Sequence, residues 1–176
     1  MKLNNAMRTL LEKHSISLCD STSENNAFPI WNKTDAAGRA YWGVSSFWEL
    51  DKQPISSDVD LSQLEWDGNE VYLAAQSDTE IANILRQAIG IVTFWRREIK
   101  TKYPEIPFYI FASYDNGDMM ILDEGEFPAQ SVSLRFWADR GGNSVINLEH
   151  FDSWEEPAII EYCNFATSES NSITLT

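Results

Sequence analysis

Between Ser77 and Pro107 the chain carries its most constraining pattern. Ile81, Ile84, Leu85, Ala88, Ile89, Val92, Trp95 and Ile99 recur at the helical period. This spacing predicts a long amphipathic helix over Thr79–Lys100. Ser77 and Glu80 have capping-box spacing at its start. Arg96, Arg97, Lys100 and Lys102 gather at its end, where positive charge favours the helix dipole. Pro104 and Pro107 stop it. Its single apolar stripe has to be covered, so the rest of the chain is read for what can cover it.

After Pro107 the period changes from 3.6 to 2. Pro107–Tyr114 and Asp118–Asp123 read as strands around Asn116-Gly117, a preferred hairpin pair. Gln130–Trp137 alternates, with Val132, Leu134 and Phe136 on one face and Ser131, Ser133 and Arg135 on the other. Arg140-Gly141-Gly142-Asn143 is the next turn, followed by strands at Ser144–Leu148 and Ala158–Cys163. Before the long helix, Leu3, Met7, Leu10, Leu11 and His14 predict a helix over Leu3–Lys13. Asp20–Asn26 is a polar loop. Tyr41–Trp48 reads as a strand, with Trp42, Val44 and Trp48 opposite Tyr41 and Phe47. Leu61–Trp66 and Val71–Ala75 flank Asp67-Gly68, a second hairpin signal. The expected fold is α+β: an antiparallel sheet, a meander in the C-terminal half, packed on the long helix, with an N-terminal helix. At 176 residues, with no repeat or linker, it is expected to form one domain over residues 1–176, with a loose tail at 167–176.

Charge narrows the function classes. Thirteen Lys and Arg oppose 27 Asp and Glu, a net charge of −14. Such a field repels nucleic-acid phosphates and anionic membranes and attracts basic partners. No apolar stretch is long enough to span a bilayer. The N-terminal residues lack the apolar core of a secretory signal, so a cytoplasmic location is expected, with Cys19 and Cys163 as reduced thiols.

The charge is also uneven. Residues 1–102 hold 14 acids and 11 bases, residues 103–176 hold 13 acids and 2 bases. The later acids fall at turns and connections: Asp115 and Asp118, then Asp123, Glu124 and Glu126, then Glu149, Asp152, Glu155 and Glu156. Clustered at one end of the sheet, they would make one acidic surface. Phe127, Phe151 and Trp154 lie among them, and aromatics at exposed positions anchor protein interfaces. Asp115, Asp118, Asp123, Glu124, Glu126, Glu149, Phe151, Asp152, Trp154, Glu155 and Glu156 are therefore the candidate partner-binding residues. The opposing reading is a solvated acidic face, with Trp154 as a plug under a loop.

Signatures of catalysis do not appear. Gly43-Val44-Ser45-Ser46-Phe47 lacks the second glycine of a nucleophile elbow, and there is no dinucleotide or P-loop motif. His14 and His150 have no metal-ligand spacing. Asp58-Val59-Asp60 and Asp115-Asn116-Gly117-Asp118 do not continue into a calcium loop. His150 beside Glu149 and Asp152 is the one candidate acid/base set. Cys163, in an apolar strand pattern, reads as inert. No catalytic residue, metal or cofactor is assigned.

Ala40-Tyr41-Trp42-Gly43-Val44, Ser77–Lys102 and Asp115–Glu156, together with the size, acidity and Trp-rich α+β pattern, resemble the immunity proteins of bacterial contact-dependent growth inhibition systems. What the resemblance implies is a cytosolic inhibitor that neutralises a cognate toxin domain, often a basic nuclease, with an RNase as one option. A 1:1 heterodimer is the expected assembly, without nucleic acid or membrane. No residue role is carried over from the resemblance. An acidic adaptor, a nucleic-acid mimic, and a hydrolase with a carboxylate/His site are the alternatives.

Overall fold

The computed structural model describes residues 1–19, 28–44, 57–117, 130–141 and 145–165. Among these residues three helices, α1 (Asn5–Lys13), α2 (Asp58–Gly68) and α3 (Ile81–Lys102), accompany seven strands. These are β1 (Lys2–Leu3), β2 (Trp31–Thr34), β3 (Ala40–Gly43), β4 (Val71–Ala75), β5 (Phe108–Asp115), β6 (Gln130–Ala138) and β7 (Ala158–Cys163). The fold is α+β. Five strands form an antiparallel sheet in the order β1-β7-β5-β6-β4, and β2 and β3 form a separate hairpin.

The 22-residue α3 covers one face of the sheet. All eight residues of its predicted stripe are buried. They meet Phe108, Ile110 and Ala112 of β5 and Val132, Leu134 and Phe136 of β6 in one core. Each of the larger aliphatic and Phe side chains among them contributes about 1.5–3 kcal/mol of burial free energy. Trp95 packs edge-on against Phe136 and donates its indole N–H to the Phe28 carbonyl at 2.9 Å. The helix ends where expected, with Tyr103 as its last cap and its N–H on the Ile99 carbonyl at 2.8 Å.

At the start of α3 the expected capping box is not made. A short 3-10 turn, Asp78–Glu80, precedes the helix. Glu80 reaches back one residue further than a box requires and accepts from the Gln76 N–H at 2.7 Å, while the Ser77 hydroxyl faces that of Thr79. The extra turn shifts the geometry by a residue, and the carboxylate takes the amide it can reach.

The opposite sheet face carries a second core. Phe111, Trp137, Ala158 and Ile160 lie there with Phe151. Trp66 of α2 covers it at one side, against Trp137 at 5.0 Å and Phe111 at 5.4 Å. Val145, Ile146, Leu148 and Trp154 cover it from the connection before β7.

Four expectations need correction. Leu61–Trp66 is helical, not a hairpin strand. Its inward residues are Leu61, Ser62, Glu65 and, just past the helix, Asn69, so the buried face is mostly polar and carries no apolar period. Val145–Leu148 forms no strand and packs as an irregular cover. Leu3 belongs to β1 rather than the first helix, because Asn4 caps α1 and accepts from the Met7 N–H at 2.9 Å. The path is also not a simple meander: β7 crosses back past β6 to pair with the other edge of β5. The expected loop at Asp20–Asn26, Phe47 and Trp48, the strand at Asp118–Asp123, and the tail at 167–176 lie outside the described residues.

Candidate acidic interface and the network that frames it

The register of β5 and β7 sets the candidate surface. Ser113 pairs with Ala158, and the Tyr114 N–H donates to the Pro157 carbonyl at 2.9 Å. Asp115 is therefore carried beside Glu155 and Glu156, about 40 residues later in the chain; all three are exposed. Asp78 is drawn to the same end. Gln130 donates to its carboxylate at 2.7 Å and accepts from the Tyr114 hydroxyl. Four of the five bases of α3, Arg96, Arg97, Lys100 and Lys102, belong to the opposite end, where β5 begins, and Arg86 lies nearer the helix start. Antiparallel pairing thus separates the charges that the sequence separates only by number. Asp118, Asp123, Glu124 and Glu126, with Phe127, lie outside the described residues.

The stretch 149–156 divides into outward acids and inward aromatics. Glu149, Asp152, Glu155 and Glu156 are exposed. Asp152 meets Lys2 at 3.1 Å. Phe151, expected to be an exposed anchor, is only 2% exposed. It lies in the second core, with the Lys2 ammonium 5.3 Å from its ring centre. Trp154 is half-buried, edge-on to Phe151 at 5.2 Å and to Phe111 at 6.3 Å. The reason is local. Val145, Leu148, Phe151 and Trp154 recur every third residue, so one side of this connection is apolar and lies on the sheet.

Asn4 holds the connection in place. Wholly buried, it donates to the Glu156 carbonyl at 2.6 Å and the Trp154 carbonyl at 3.5 Å. It accepts from the Ala158 N–H at 3.0 Å as well as from Met7. Both its donor and acceptor capacity are used. One residue caps α1 and fixes the backbone that carries Glu155 and Glu156.

The candidate acid/base set does not converge. His150 sits in the left-handed region at φ 60°, fully outward, with its Nε2 4.0 Å from Glu149 Oε1. Asp152 is engaged by Lys2 instead. Among the described residues, no group of three or more His, Cys, Asp or Glu side chains could hold a metal ion. The Asp58-Val59-Asp60 stretch opens α2, and Asp58 lies 3.5 Å from Arg39. Cys163 is buried, and burial pushes its thiol up to about 11, which keeps it protonated.

A buried polar network, unread in the sequence, frames the far end of the sheet. Beyond Leu134, β6 outruns β4 and, among the described residues, has no strand on that flank, while its other flank stays paired with β5 to Ala138. Side chains of α2 take the missing strand's place. Glu65, 0% exposed, accepts from the Ala138 N–H of β6 at 2.8 Å and the Trp42 N–H of β3 at 3.1 Å. Asn69 donates to the Phe136 and Trp42 carbonyls at 3.2 and 2.9 Å. Arg140 closes on Glu65 with two bonds, at 2.6 and 2.8 Å, and donates to Ser62 and the Ala40 carbonyl. Burial pushes the Glu65 carboxyl up, while Arg140 and the two N–H donors pull the other way. The spacing of Ser62, Glu65 and Asn69, one helical face, was the available signal, but their polarity hid it.

Two exposed aromatics were also missed. Tyr72 on β4 is 59% exposed and Tyr162 on β7 is 48% exposed. Tyr162 lies over Tyr109 at 4.7 Å and donates to Asp139 at 3.2 Å. Both occupy outward-facing strand positions at which a simple alternation reading assigns no role.

Among the described residues no helix is long and apolar enough to cross a membrane. Comparison with known proteins returned no matching family model, no matching curated protein and no matching solved structure.

Proposed function

We propose that this chain is an immunity-type inhibitor that binds a basic toxin domain, of nuclease type, in the cytoplasm and covers its substrate-binding surface with an acidic face. The observation that carries this reading is the convergence of Asp115, Glu155 and Glu156 at one end of the sheet, with Asp78 close by. A nuclease is positive where it holds phosphates, and a fixed set of carboxylates can occupy that surface. Complementary fields raise association rates toward ~10⁸–10⁹ M⁻¹s⁻¹ at low salt. Such rapid capture suits a protein that must intercept a toxin before it acts.

Asp115, Glu155 and Glu156 steer and pair with Lys or Arg of the partner, joined by Glu149 and Asp152 at the margin. Asp118, Asp123, Glu124 and Glu126 keep the steering role that their sequence positions suggest. Trp154 is the aromatic at the centre of this band. Phe151 supports it from beneath and makes no direct contact. Held by Asn4, the band is set before the partner arrives, which lowers the ordering cost of binding.

The experiment is affinity capture from the native host at low and high salt, with wild type beside the charge-reversal set Asp115→Lys, Glu155→Lys and Glu156→Lys. A stoichiometric basic domain, retained at low salt and lost with the reversal set, is the expected result. Capture of a basic domain that the reversal set leaves intact overturns the assignment of this face. Recovery of a large housekeeping assembly instead favours the adaptor alternative.

A further inference from the structure

The two outer edges of the five-stranded sheet are treated differently. One edge is β1, only two residues long and carrying Lys2. Short strands and lysines are devices that blunt an edge. The overhang of β6 is closed by Glu65 and Asn69. On the β1 side only the last three residues of β7 are left uncovered. The longest regular edge among the described residues is β4, five residues without Lys, Pro or Gly. Among the described residues no strand pairs with its outer side and no side chain bonds to its backbone. Tyr72 and Ala74 stand exposed on it. A regular edge of this kind offers unpaired N–H and C=O groups to an incoming strand.

The charge around this edge selects the occupant. From Asp67 to Glu80 the chain holds Asp67, Glu70, Asp78 and Glu80 and no base. Arg135, on the neighbouring strand β6, is paired with Glu70 at 2.7 Å. A second copy fits poorly, because it would bring two chains of net charge −14 edge to edge.

We propose that β4 is a docking edge for an extended basic segment of a partner protein, which adds to the sheet as a sixth strand. Main-chain hydrogen bonds to Val71–Ala75 hold it, Tyr72 packs against its side chains, and the acids at both ends of β4 receive its Lys or Arg residues. This rests on the reading that the partner is a basic protein, and it gives that partner a second, backbone-mediated foothold.

The test uses the full isotope-labelled chain and two synthetic peptides, one alternating Lys with Val and Thr, the other with Glu in place of each Lys. Expected are amide shift changes centred on Val71–Ala75, with slowed hydrogen exchange there, for the Lys peptide and not the Glu peptide. Tyr72→Lys and Ala74→Lys, both at exposed positions, should each weaken binding at least about tenfold. Three results overturn the proposal: no binding of the Lys peptide up to millimolar concentration, shifts confined to Asp115 and Glu149–Glu156, or light scattering that shows a dimer paired through β4. The second of these leaves the acidic-face reading standing, so the two can fail separately.

Discussion

At the scale of single residues, Glu65 is the most exacting position in the molecule. Its carboxylate satisfies the edge amides of two strands that do not pair with each other, and Arg140 neutralises it. Removing one member of a buried pair leaves the other uncompensated. We therefore expect Glu65→Gln to cost about 3–5 kcal/mol in urea unfolding, and a paired apolar replacement of Glu65 and Arg140 to give no relief, because the Trp42 and Ala138 N–H groups then lose their acceptor. Cys163 makes a pH prediction. Its thiol titrates near 9.0 when unfolded and at about 11 in the fold. Between those values the native state keeps a proton that the unfolded chain releases, so stability is full below pH 9 and falls as pH rises to 11. The loss is about 2–3 kcal/mol. It should be absent from Cys163→Ala, read as the difference between the two proteins' urea midpoints at neutral and alkaline pH.

The next scale is that of elements, where legibility tracks the chemistry of the buried face. Helix α3 was readable because its inward residues are all apolar, and a sustained apolar stripe at a 3.6 period fits a helix and not a strand. Strand β6 is readable for the matching reason at period 2, β5 from the hairpin pair Asn116-Gly117 that follows it, and β7 only as a short apolar run. Helix α2 was not, because Ser62, Glu65 and Asn69 face inward and make hydrogen bonds with partners that sequence spacing does not identify. The connection before β7 differs from the expectation in the other direction: its acids are exposed, but Phe151 is structural and Trp154 is half-buried. Asn4 ties these elements together, so its loss should be felt at a distance. Asn4→Ala removes an N-cap, worth about 1 kcal/mol, and leaves the Ala158 N–H unpaired, worth about 1–3 kcal/mol more. We expect that destabilisation in chemical unfolding. We also expect faster amide exchange at 154–158 in native-state exchange; unchanged exchange there would show that another contact holds the connection.

Taken as a whole molecule, the protein is electrically lopsided. The strand-rich part carries most of the −14 charge, and antiparallel pairing brings Asp115, Glu155 and Glu156 together. Carboxylates held together repel one another, and salt screens that repulsion. The free chain should therefore gain stability, by about 1 kcal/mol, as ionic strength rises from low to moderately high, seen as a higher Tm. Binding to a basic partner should weaken over the same range. Opposite salt responses of folding and binding would mark the acidic end as a surface that costs stability in the free protein. A Tm that falls with added salt would mean that the paired charges, such as Lys2–Asp152 and Arg135–Glu70, outweigh the repulsion.

The sequence by itself determined the long helix, the strands it covers, the α+β class and the sign of the field, because these follow from local periodicity and from counting charges. Tertiary structure alone decided the rest. It placed Asp115 next to Glu155 and Glu156, turned Phe151 inward, made Glu65 a substitute for a strand, and left β4 with no strand on its outer side among the described residues. Each of these depends on which strand lies beside which. Strand order is fixed by contacts between residues far apart in the chain, where packing and backbone satisfaction compete over the whole sheet and no local pattern records the outcome.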